Sequence, residues 1–259
     1  MLDNRQQDVA KIGRQLAADN PGIRDMDKKT YSETDLRYFD QFTSGYTPYR
    51  DRDLDTMLAA LDFAFQHFEK PRICEIGCAS GQFSQSLKRR YPDRDMSLTG
   101  VDIALNVLSF YPYGKICGSA FALPFKDKSF EMVCLPATLH HLFPLEDSLK
   151  EVIRVLVPGG VFYCMEPNYL HPQRFFFMRF TRLYQLYRKA NDVPVHPLRL
   201  QKDLEKKNMT VLECRFVNIY FKEPSVLQKI QNLVANLMPN SVLSRYWLPW
   251  FILIAEKER

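Results

Sequence analysis

Three features that define large protein classes are missing from this sequence of 259 residues. The longest apolar run, residues 247–255, has nine residues and includes a proline, so it is too short to span a bilayer. No leading segment combines basic residues with an apolar core, and we therefore expect no signal peptide. The six cysteines include no Cys-x-x-Cys pair and no metal-type spacing. This predicts reduced core thiols in a cytoplasmic protein without a bound metal, and it disfavours a catalytic thiol.

The Gly-x-Gly-x-x-Gly pattern of dinucleotide enzymes does not occupy the glycine-rich turn either. Gly77, Ala79 and Gly81 there follow Gly-x-Ala-x-Gly, after an apolar run with Glu75 near its end and before a helical pattern. A strand, a small-residue turn and a helix start can hold a nucleotide-like ligand, because the ligand approaches the backbone closely. Asp102 stands 21 residues past Gly81, at the end of a second apolar run. An acid in that position can accept hydrogen bonds from both hydroxyls of a ribose.

Apolar runs and helical patterns alternate from residue 72 onward, which predicts an α/β fold. We expect a Rossmann-like, mostly parallel seven-stranded sheet with helices on both faces, plus helical lid insertions. The predicted strands are 73–76, 97–101, 115–117, 130–135, 161–165, 210–216 and 247–255. The predicted helices include 51–69, 82–91, 145–156 and 198–207, and a turn is expected at 158–160. Residues 1–50 are predicted as an N-terminal helical cap and 51–259 as the main domain, with lid insertions at 167–197 and 222–246.

Five sequence pieces carry a family resemblance because they stand in a fixed order. They are Glu75–Gly81, Gly100–Ile103, Gly118–Phe125, Ser129–Cys134 with Leu139–Leu142, and Leu156–Gly160. Over residues 50–170 the chain resembles the class I S-adenosylmethionine-dependent methyltransferases, within the broad subgroup that acts on small molecules and lipids. The resemblance implies S-adenosyl-L-methionine as cofactor and methyl transfer to a small-molecule or lipid-linked acceptor.

The resemblance also implies a role for individual positions. The methionine part of the cofactor would lie over the turn that holds Gly77, Cys78, Ala79 and Gly81. Glu75 would order that turn, and Leu135 would offer its carbonyl near the methionine amine. Asp102 would take the ribose hydroxyls, and Ile103 would pack on the adenine. The adenine would be edged by Ser119, Ala120 and Phe121.

Two positions depart from the family pattern, which usually has glycine at Ala79 and often aspartate at Ser119. We expect alanine to cost little provided that its φ is negative. Serine can still accept a hydrogen bond from the adenine amino group, though without charge. Cofactor binding should therefore persist, with weaker affinity.

Candidate proton-transfer residues follow the fourth and fifth strands. His140 and His141 come after the fourth strand and could remove the acceptor's proton, while Glu166 could orient a histidine or replace it. The alternative is that the histidines cap the turn and pack beside Phe143. Because the methyl donor is already activated, alignment of the reactants in a dry site can also suffice.

The net charge of +5 is concentrated at one end: residues 167–259 hold 15 bases and seven acids. Residues 174–189 form a cationic amphipathic pattern without an acid. A lid with its aromatic side against the domain is the favoured interpretation. Peripheral contact with an anionic membrane at the inner membrane face, or with a lipid phosphate, is the second. Nucleic acid binding is disfavoured, because no recognition module is present.

Two other function classes stay open. A methyltransferase-like binding subunit that has lost catalysis would bind cofactor without turnover, with Ala79 and Ser119 as its signs. A nicotinamide-dependent oxidoreductase is disfavoured by the glycine spacing.

Overall fold

The computed structural model describes residues 39–41, 49, 51–58, 61–172, 195–219 and 242–259. The strands are β1 Arg72–Ile76, β2 Ser97–Asp102, β3 Gly114–Cys117, β4 Phe130–Pro136, β5 Leu156–Pro167, β6 Met209–Val217 and β7 Trp250–Lys257. The helices are α1 Asp51–Leu58, α2 Asp62–His67, α3 Gln82–Arg90, α4 Leu105–Leu108, α5 Leu145–Val155, α6 Pro197–Glu205 and α7 Val242–Trp247. A 3₁₀ turn covers Leu139–His141.

The sheet confirms the predicted architecture. Its seven strands lie in the order β3-β2-β1-β4-β5-β7-β6. The five strands from β3 to β5 pair in parallel, and only β7 runs antiparallel, between β5 and β6. The chain leaves β1 in one direction to form β2 and β3, and returns to the other side of β1 with β4. Such a reversal opens a crevice outside the carboxyl ends of β1 and β4, where ligands of open α/β sheets bind.

Helices cover both faces of the sheet because neighbouring residues of each buried strand point to opposite sides. On one face, Ile73 of β1 and Met132 of β4 join a core cluster with buried apolar residues of α1 and with Phe65 of α2. On the other face, Cys74 and Val133 join a cluster with residues of α5 and α6. Full burial of each large apolar side chain stabilises the fold by about 1.5–3 kcal/mol. Because both faces are buried, the sequences of the central strands are nearly continuous runs of apolar residues.

The predicted helix over 51–69 is wrong in one respect, since α1 ends at Leu58 and α2 begins at Asp62. The hydroxyl of Tyr91 lies 3.0 Å from the Leu58 carbonyl and 2.6 Å from a carboxylate oxygen of Asp62. A residue that follows α3 therefore contacts both the end of one helix and the start of the next. Sequence periodicity cannot reveal such a contact.

The turn predicted at 158–160 lies inside β5, which begins at Leu156. Phe130 pairs with Leu156 and Met132 with Val161, so the register shifts here and the strand bulges. Gly159 takes a φ of 75° within the bulge. Glycine adopts this conformation without steric cost, which allows the strand to continue past the irregularity.

The insertions and the cap are described only in part. Residues 242–246 of the second insertion lie in α7, whereas β7 begins at Trp250 and not at the predicted 247. Most of the cap and of both insertions, including 174–189, lies outside the described residues, so the domain boundaries stay predictions. Within the described residues, no helix combines the length and apolarity needed to cross a membrane. The same part of the chain holds no cluster of side chains suited to a metal ion.

Candidate functional site

The turn after β1 lies at the carboxyl edge of the sheet, between β2 and β4. Its backbone alternates into the left-handed region, with φ values of 66° at Gly77, 44° at Ala79 and 81° at Gly81. The N–H of Gly77 donates to the carbonyl of Val101 at 2.8 Å, which continues the contact between β1 and β2 into the turn. A Cβ built on Gly77 would lie 2.4 Å from Thr138, so glycine there lets the loop after β4 approach the turn.

Ala79 has a left-handed backbone conformation, which corrects our expectation of a small cost at this position. Its φ is positive, whereas we expected a small cost only for a negative φ. Left-handed backbone costs an L-residue roughly 1–2 kcal/mol. The Ala79 N–H donates to Oδ2 of Asp102 at 2.8 Å, and this bond helps to hold the strained conformation.

Glu75 is buried under the turn and connects β1 to the start of α3. One carboxylate oxygen accepts hydrogen bonds from the backbone N–H of Ser84, at 3.1 Å, and from the Ser84 hydroxyl. The Ser84 hydroxyl also lies 2.7 Å from the hydroxyl of Tyr111. Glu75 thereby satisfies an N–H of the first helical turn that has no partner within the helix. Burial raises the pKa of the Glu75 carboxyl to about 8, although the bonds from Ser84 lower it.

Asp102 ends β2 beside this turn, and both of its carboxylate oxygens face backbone donors. Oδ2 accepts from Ala79, and Oδ1 accepts from the N–H of Ala104 at 2.9 Å. Burial raises the pKa of Asp102, while the backbone hydrogen bonds lower it. An ionised carboxylate has about four acceptor positions, so the side chain can accept further hydrogen bonds from a ligand.

The residues predicted at the adenine lie along the loop that follows β3. Gly118 donates its N–H to the carbonyl of Asp102 at 3.0 Å, which places the start of this loop against the end of β2. Ile103 adjoins Asp102, and its carbonyl accepts a weak bond from the Cys117 thiol at 3.6 Å. The Ser119 hydroxyl accepts from the N–H of Phe121 at 3.2 Å, while Ala120 is buried. The loop is thus close to Asp102, as the predicted adenine site requires.

Helix α5 holds the far end of the same loop. The Arg154 guanidinium donates to the carbonyls of Phe125 at 2.8 Å and Leu123 at 3.1 Å. It also donates to both carboxylate oxygens of Glu151, one of which accepts the N–H of Leu123 at 2.8 Å. Two charged side chains of one helix therefore fix the backbone of this loop.

The buried side chain of Glu166, near the end of β5, binds the loop that follows β4. Its side chain has no exposed surface, and Oε1 accepts the N–H groups of Thr138 at 2.8 Å and Leu139 at 2.7 Å. Oε2 lies 2.7 Å from Nδ1 of His140 and 3.4 Å from the backbone nitrogen of that residue. A carboxylate enclosed in this way orients a histidine and a backbone loop, which is one of its two predicted roles.

The two histidines lie side by side, with ring centroids 4.0 Å apart. His140 is 9% exposed and contacts Glu166, while His141 is partly exposed and meets the ring of Phe39 edge-on at 5.3 Å. The neighbouring Asp40 accepts the backbone N–H of Asn106, in α4, at 3.2 Å. Residues 39–41 therefore touch elements on both sides of the crevice.

Leu135 is fully buried in β4, where it pairs with Cys164 of β5. It lies one residue beyond Cys134, the last β4 residue paired with β1. From Leu135 onward β4 still pairs with β5 but no longer with β1, so this backbone borders the crevice, where the predicted carbonyl contact would form.

The cysteines behave as core residues. All six are free thiols, and Cys78 is buried within the turn. Burial raises the pKa of five of them, namely Cys74, Cys78, Cys134, Cys164 and Cys214. A raised thiol pKa disfavours the reactive thiolate, which argues against a cysteine nucleophile.

Sequence reasoning missed three residues that shape the site. Ser84 and Tyr111 complete the network around Glu75, and Thr138 fills the space above Gly77. Ser84 stands at the third position of α3, where a polar residue can signal helix capping. The other two carry no signal in the sequence, because each acts through contact with a distant element.

Comparisons with known proteins agree with this geometry. Residues 74–164 match the family model for a methyltransferase domain. The malonyl-[acyl-carrier protein] O-methyltransferase 1 of Coxiella burnetii is 29% identical over 107 residues, which are 41% of this chain and 36% of that protein. The fatty-acid O-methyltransferase of Mycolicibacterium smegmatis is 35% identical over 115 residues, or 40% of this chain and 41% of that protein. The chain thus spans about two fifths of the length of these curated relatives.

Among solved structures, an S-adenosylmethionine-dependent methyltransferase from Mesorhizobium loti shares the fold with a TM-score of 0.56. The match covers 79% of this chain and 100% of the other, at 13% sequence identity. Residues 74–164 thus resemble a methyltransferase domain, and the sheet has a fold that solved methyltransferase structures share.

Proposed function

We propose that the protein is an S-adenosyl-L-methionine-dependent methyltransferase that acts on a small or lipid-linked acceptor with an apolar part. The observation that carries this proposal is the position of Asp102, at the carboxyl end of β2 and within 2.8 Å of the turn after β1. A carboxylate beside a small-residue turn at the reversal point of the sheet suits an adenosyl group.

The side chains at the crevice fit the cofactor. Asp102 is only partly buried and would accept hydrogen bonds from the ribose hydroxyls. The turn at 77–81 carries no large side chain of its own, which suits the methionine part. Ile103 and the loop at Ser119–Phe121 would enclose the adenine, and the β4 backbone at Leu135 would meet the methionine amine.

The bound cofactor supplies an already activated methyl group, so the chain's own residues have to position the acceptor and exclude water. A neutral His140 whose Nδ1–H donates to Glu166 has Nε2 as its basic nitrogen. His140 would remove the proton of a hydroxyl acceptor through that atom, and His141 would line the crevice. Glu166 would act as a positioning residue. A carboxylate acceptor has no proton to lose and would need only alignment.

Two observations support an acceptor with an apolar part. Both curated relatives are named for acyl substrates, a fatty acid and malonyl-acyl carrier protein. The predicted lids at 167–197 and 222–246 carry aromatic and aliphatic residues at helical spacing. A cytoplasmic location and membrane contact through 174–189 belong to the same proposal.

Calorimetry with S-adenosylhomocysteine tests the cofactor site, with Asp102→Ala as the variant and the exposed Asp95→Ala as control. We expect binding by the wild type and the control, and an affinity at least about tenfold lower for Asp102→Ala, since charge-assisted hydrogen bonds are lost. No heat at millimolar ligand, or an unchanged affinity of Asp102→Ala, would overturn the proposal.

Methyl transfer from labelled cofactor to fatty acids and to hydroxylated lipids tests catalysis. With a hydroxyl acceptor, we expect His140→Asn to lower kcat about 10²–10⁴-fold while cofactor affinity stays unchanged. Cofactor binding without turnover on any acceptor, together with a stable partner on purification, would favour the alternative of a binding subunit. We expect no change in NADH fluorescence on titration with the protein.

A further inference from the structure

Two neighbouring aromatic side chains are exposed on α7. Tyr246 is 49% exposed and Trp247 is 45% exposed, and the adjacent Arg245 is exposed as well. These three residues form the α7 patch. Tryptophan and tyrosine combine an apolar ring with a polar group, which is why both concentrate where apolar and aqueous phases meet.

The α7 patch lies at the same edge of the sheet as the candidate cofactor site. Helix α7 ends at Trp247, and β7 begins at Trp250, which pairs with Pro167 at the carboxyl end of β5. Two β5 residues earlier, Met165 pairs with Pro136 at the carboxyl end of β4, where the loop with His140 begins. A surface that meets the α7 patch would therefore adjoin the crevice.

Asn168 fixes the orientation of the patch. Its buried amide donates to the carbonyls of Arg245 at 2.7 Å and Leu248 at 2.8 Å, and its backbone N–H donates to the carbonyl of Pro249 at 2.8 Å. Ser244 and Leu248 are buried on the inner side of this segment. The hydrogen bonds of Asn168 and the burial of Ser244 and Leu248 therefore fix the backbone that carries the two exposed aromatic rings.

The excess of basic residues in this part of the chain favours an anionic partner for the α7 patch. Residues 167–259, the part of the chain that includes α7, hold 15 bases against seven acids. The base within the α7 patch is Arg245, and a base near anionic lipid headgroups adds about a fivefold preference for the membrane. An apolar protein partner would give no role to this charge.

We propose that the α7 patch docks the protein on an anionic lipid bilayer. Tyr246 and Trp247 would lie at the depth of the headgroups, and Arg245 would contact lipid phosphates. The consequence rests on the proposed function: with the sheet edge facing the bilayer, a lipid-linked acceptor could reach the crevice without leaving the membrane. A second copy of the chain is the competing occupant of the patch, and the experiment separates the two.

Co-sedimentation of the full chain with vesicles tests the proposal. The vesicles are phosphatidylcholine alone, or phosphatidylcholine mixed with phosphatidylglycerol. We expect binding to the anionic vesicles, at least about tenfold weaker partitioning for Tyr246→Ser with Trp247→Ser, and about fivefold weaker partitioning for Arg245→Gln. The matched control is Leu212→Ser: Leu212 is 41% exposed on the edge strand β6, five residues before Val217 at the crevice edge, and we expect no change.

Trp247 fluorescence provides a second measurement, because the chain has only two tryptophans and Trp250→Phe leaves Trp247 as the reporter. A blue shift on addition of anionic vesicles is expected. Wild-type partitioning by the aromatic double variant, or no vesicle binding at all, would overturn the proposal. So would a wild-type dimer that the double variant converts to a monomer. Binding of S-adenosylhomocysteine, measured on the same samples, reports separately on the proposed function, since the α7 patch holds no predicted cofactor residue.

Discussion

Single residues at the crevice owe their roles to contacts with distant parts of the chain. Asp102 joins the turn after β1 to the start of α4, because its two oxygens accept from Ala79 and Ala104. Glu75 joins β1 to α3, and Glu166 joins β5 to the loop that bears His140. Three carboxylates thus position backbone at this edge, and each satisfies N–H groups that would otherwise lack partners.

Ala79→Gly should stabilise the protein by up to about 1 kcal/mol. The substitution relieves the left-handed strain at φ 44°, although glycine also increases the entropy of the unfolded chain. Chemical denaturation measures the change in the free energy of unfolding. Ala104→Gly is the matched control, since its N–H also donates to Asp102 but its φ is −89°, and it should destabilise the protein. A loss of stability in Ala79→Gly as well would contradict the strain argument.

The titration of Glu75 should lower the free energy of unfolding as the pH rises from about 4.5 to about 8. Because burial raises its pKa to about 8 in the folded protein, the folded state binds the proton more tightly than the unfolded state does. The stabilising contribution is present below pH 4.5 and is lost as the pH rises through about 8, with a slope of up to about 1.4 kcal/mol per pH unit. We expect Glu75→Gln to flatten this slope in denaturation curves, whereas the exposed Glu69→Gln should leave it unchanged. Equal slopes for wild type and Glu75→Gln would show that Glu75 is not the responsible group.

At the scale of elements, helices outside the crevice hold the loops that line it. Arg154 and Glu151 of α5 bind the backbone of the loop after β3, and Asn168 at the end of β5 binds the chain around α7. The loops gain a defined shape because their carbonyl and N–H groups are paired to residues of the rigid scaffold.

Arg154→Met should loosen the loop that edges the predicted adenine site. The substitution leaves the carbonyls of Leu123 and Phe125 without their donor, which should cost about 1–2 kcal/mol of stability at this partly exposed position. Affinity for S-adenosylhomocysteine should fall several-fold in calorimetry, because the loop at Ser119–Phe121 continues into the released segment. Lys150→Met, on an exposed turn of the same helix, should change stability by less than about 0.5 kcal/mol and leave affinity intact. Full cofactor affinity in Arg154→Met would contradict a positioning role.

For the whole molecule, the candidate cofactor site bridges parts of the chain that meet only in the folded state. Glu75 lies in β1, Asp102 ends β2 and His140 follows β4, and these three strands lie side by side in the order β2-β1-β4. A ligand held by all three segments can bind the folded chain but not the unfolded one. Cofactor binding should therefore be linked to global stability.

S-adenosylhomocysteine at 100 times its dissociation constant should raise the free energy of unfolding by about 2.7 kcal/mol. Thermal or chemical denaturation at several ligand concentrations measures this increase. Asp102→Ala should need at least about tenfold more ligand for the same increase. A stabilisation that is identical in the two proteins would place the ligand elsewhere.

Much of the fold could be predicted from the sequence, which also placed a candidate site within it. The apolar runs and the spacing between Gly81 and Asp102 depend on local pattern, and a strand buried on both faces leaves that pattern in the chain. The breaks inside the predicted helix at 51–69 and inside β5 could not be predicted. Tyr91 marks the first through a contact across the fold, and the second depends on the register between β4 and β5.

The sequence by itself determined the class of fold and predicted a site at the carboxyl edge with Asp102 as its acid, because these follow from local periodicity and from a parallel sheet's geometry. Only the tertiary structure decided that Ala79 takes a left-handed conformation, that Glu166 supports His140 from beneath and that Tyr246 and Trp247 face outward beside the crevice. These features depend on which distant groups come within hydrogen-bond distance of one another, and one-dimensional spacing does not contain that information.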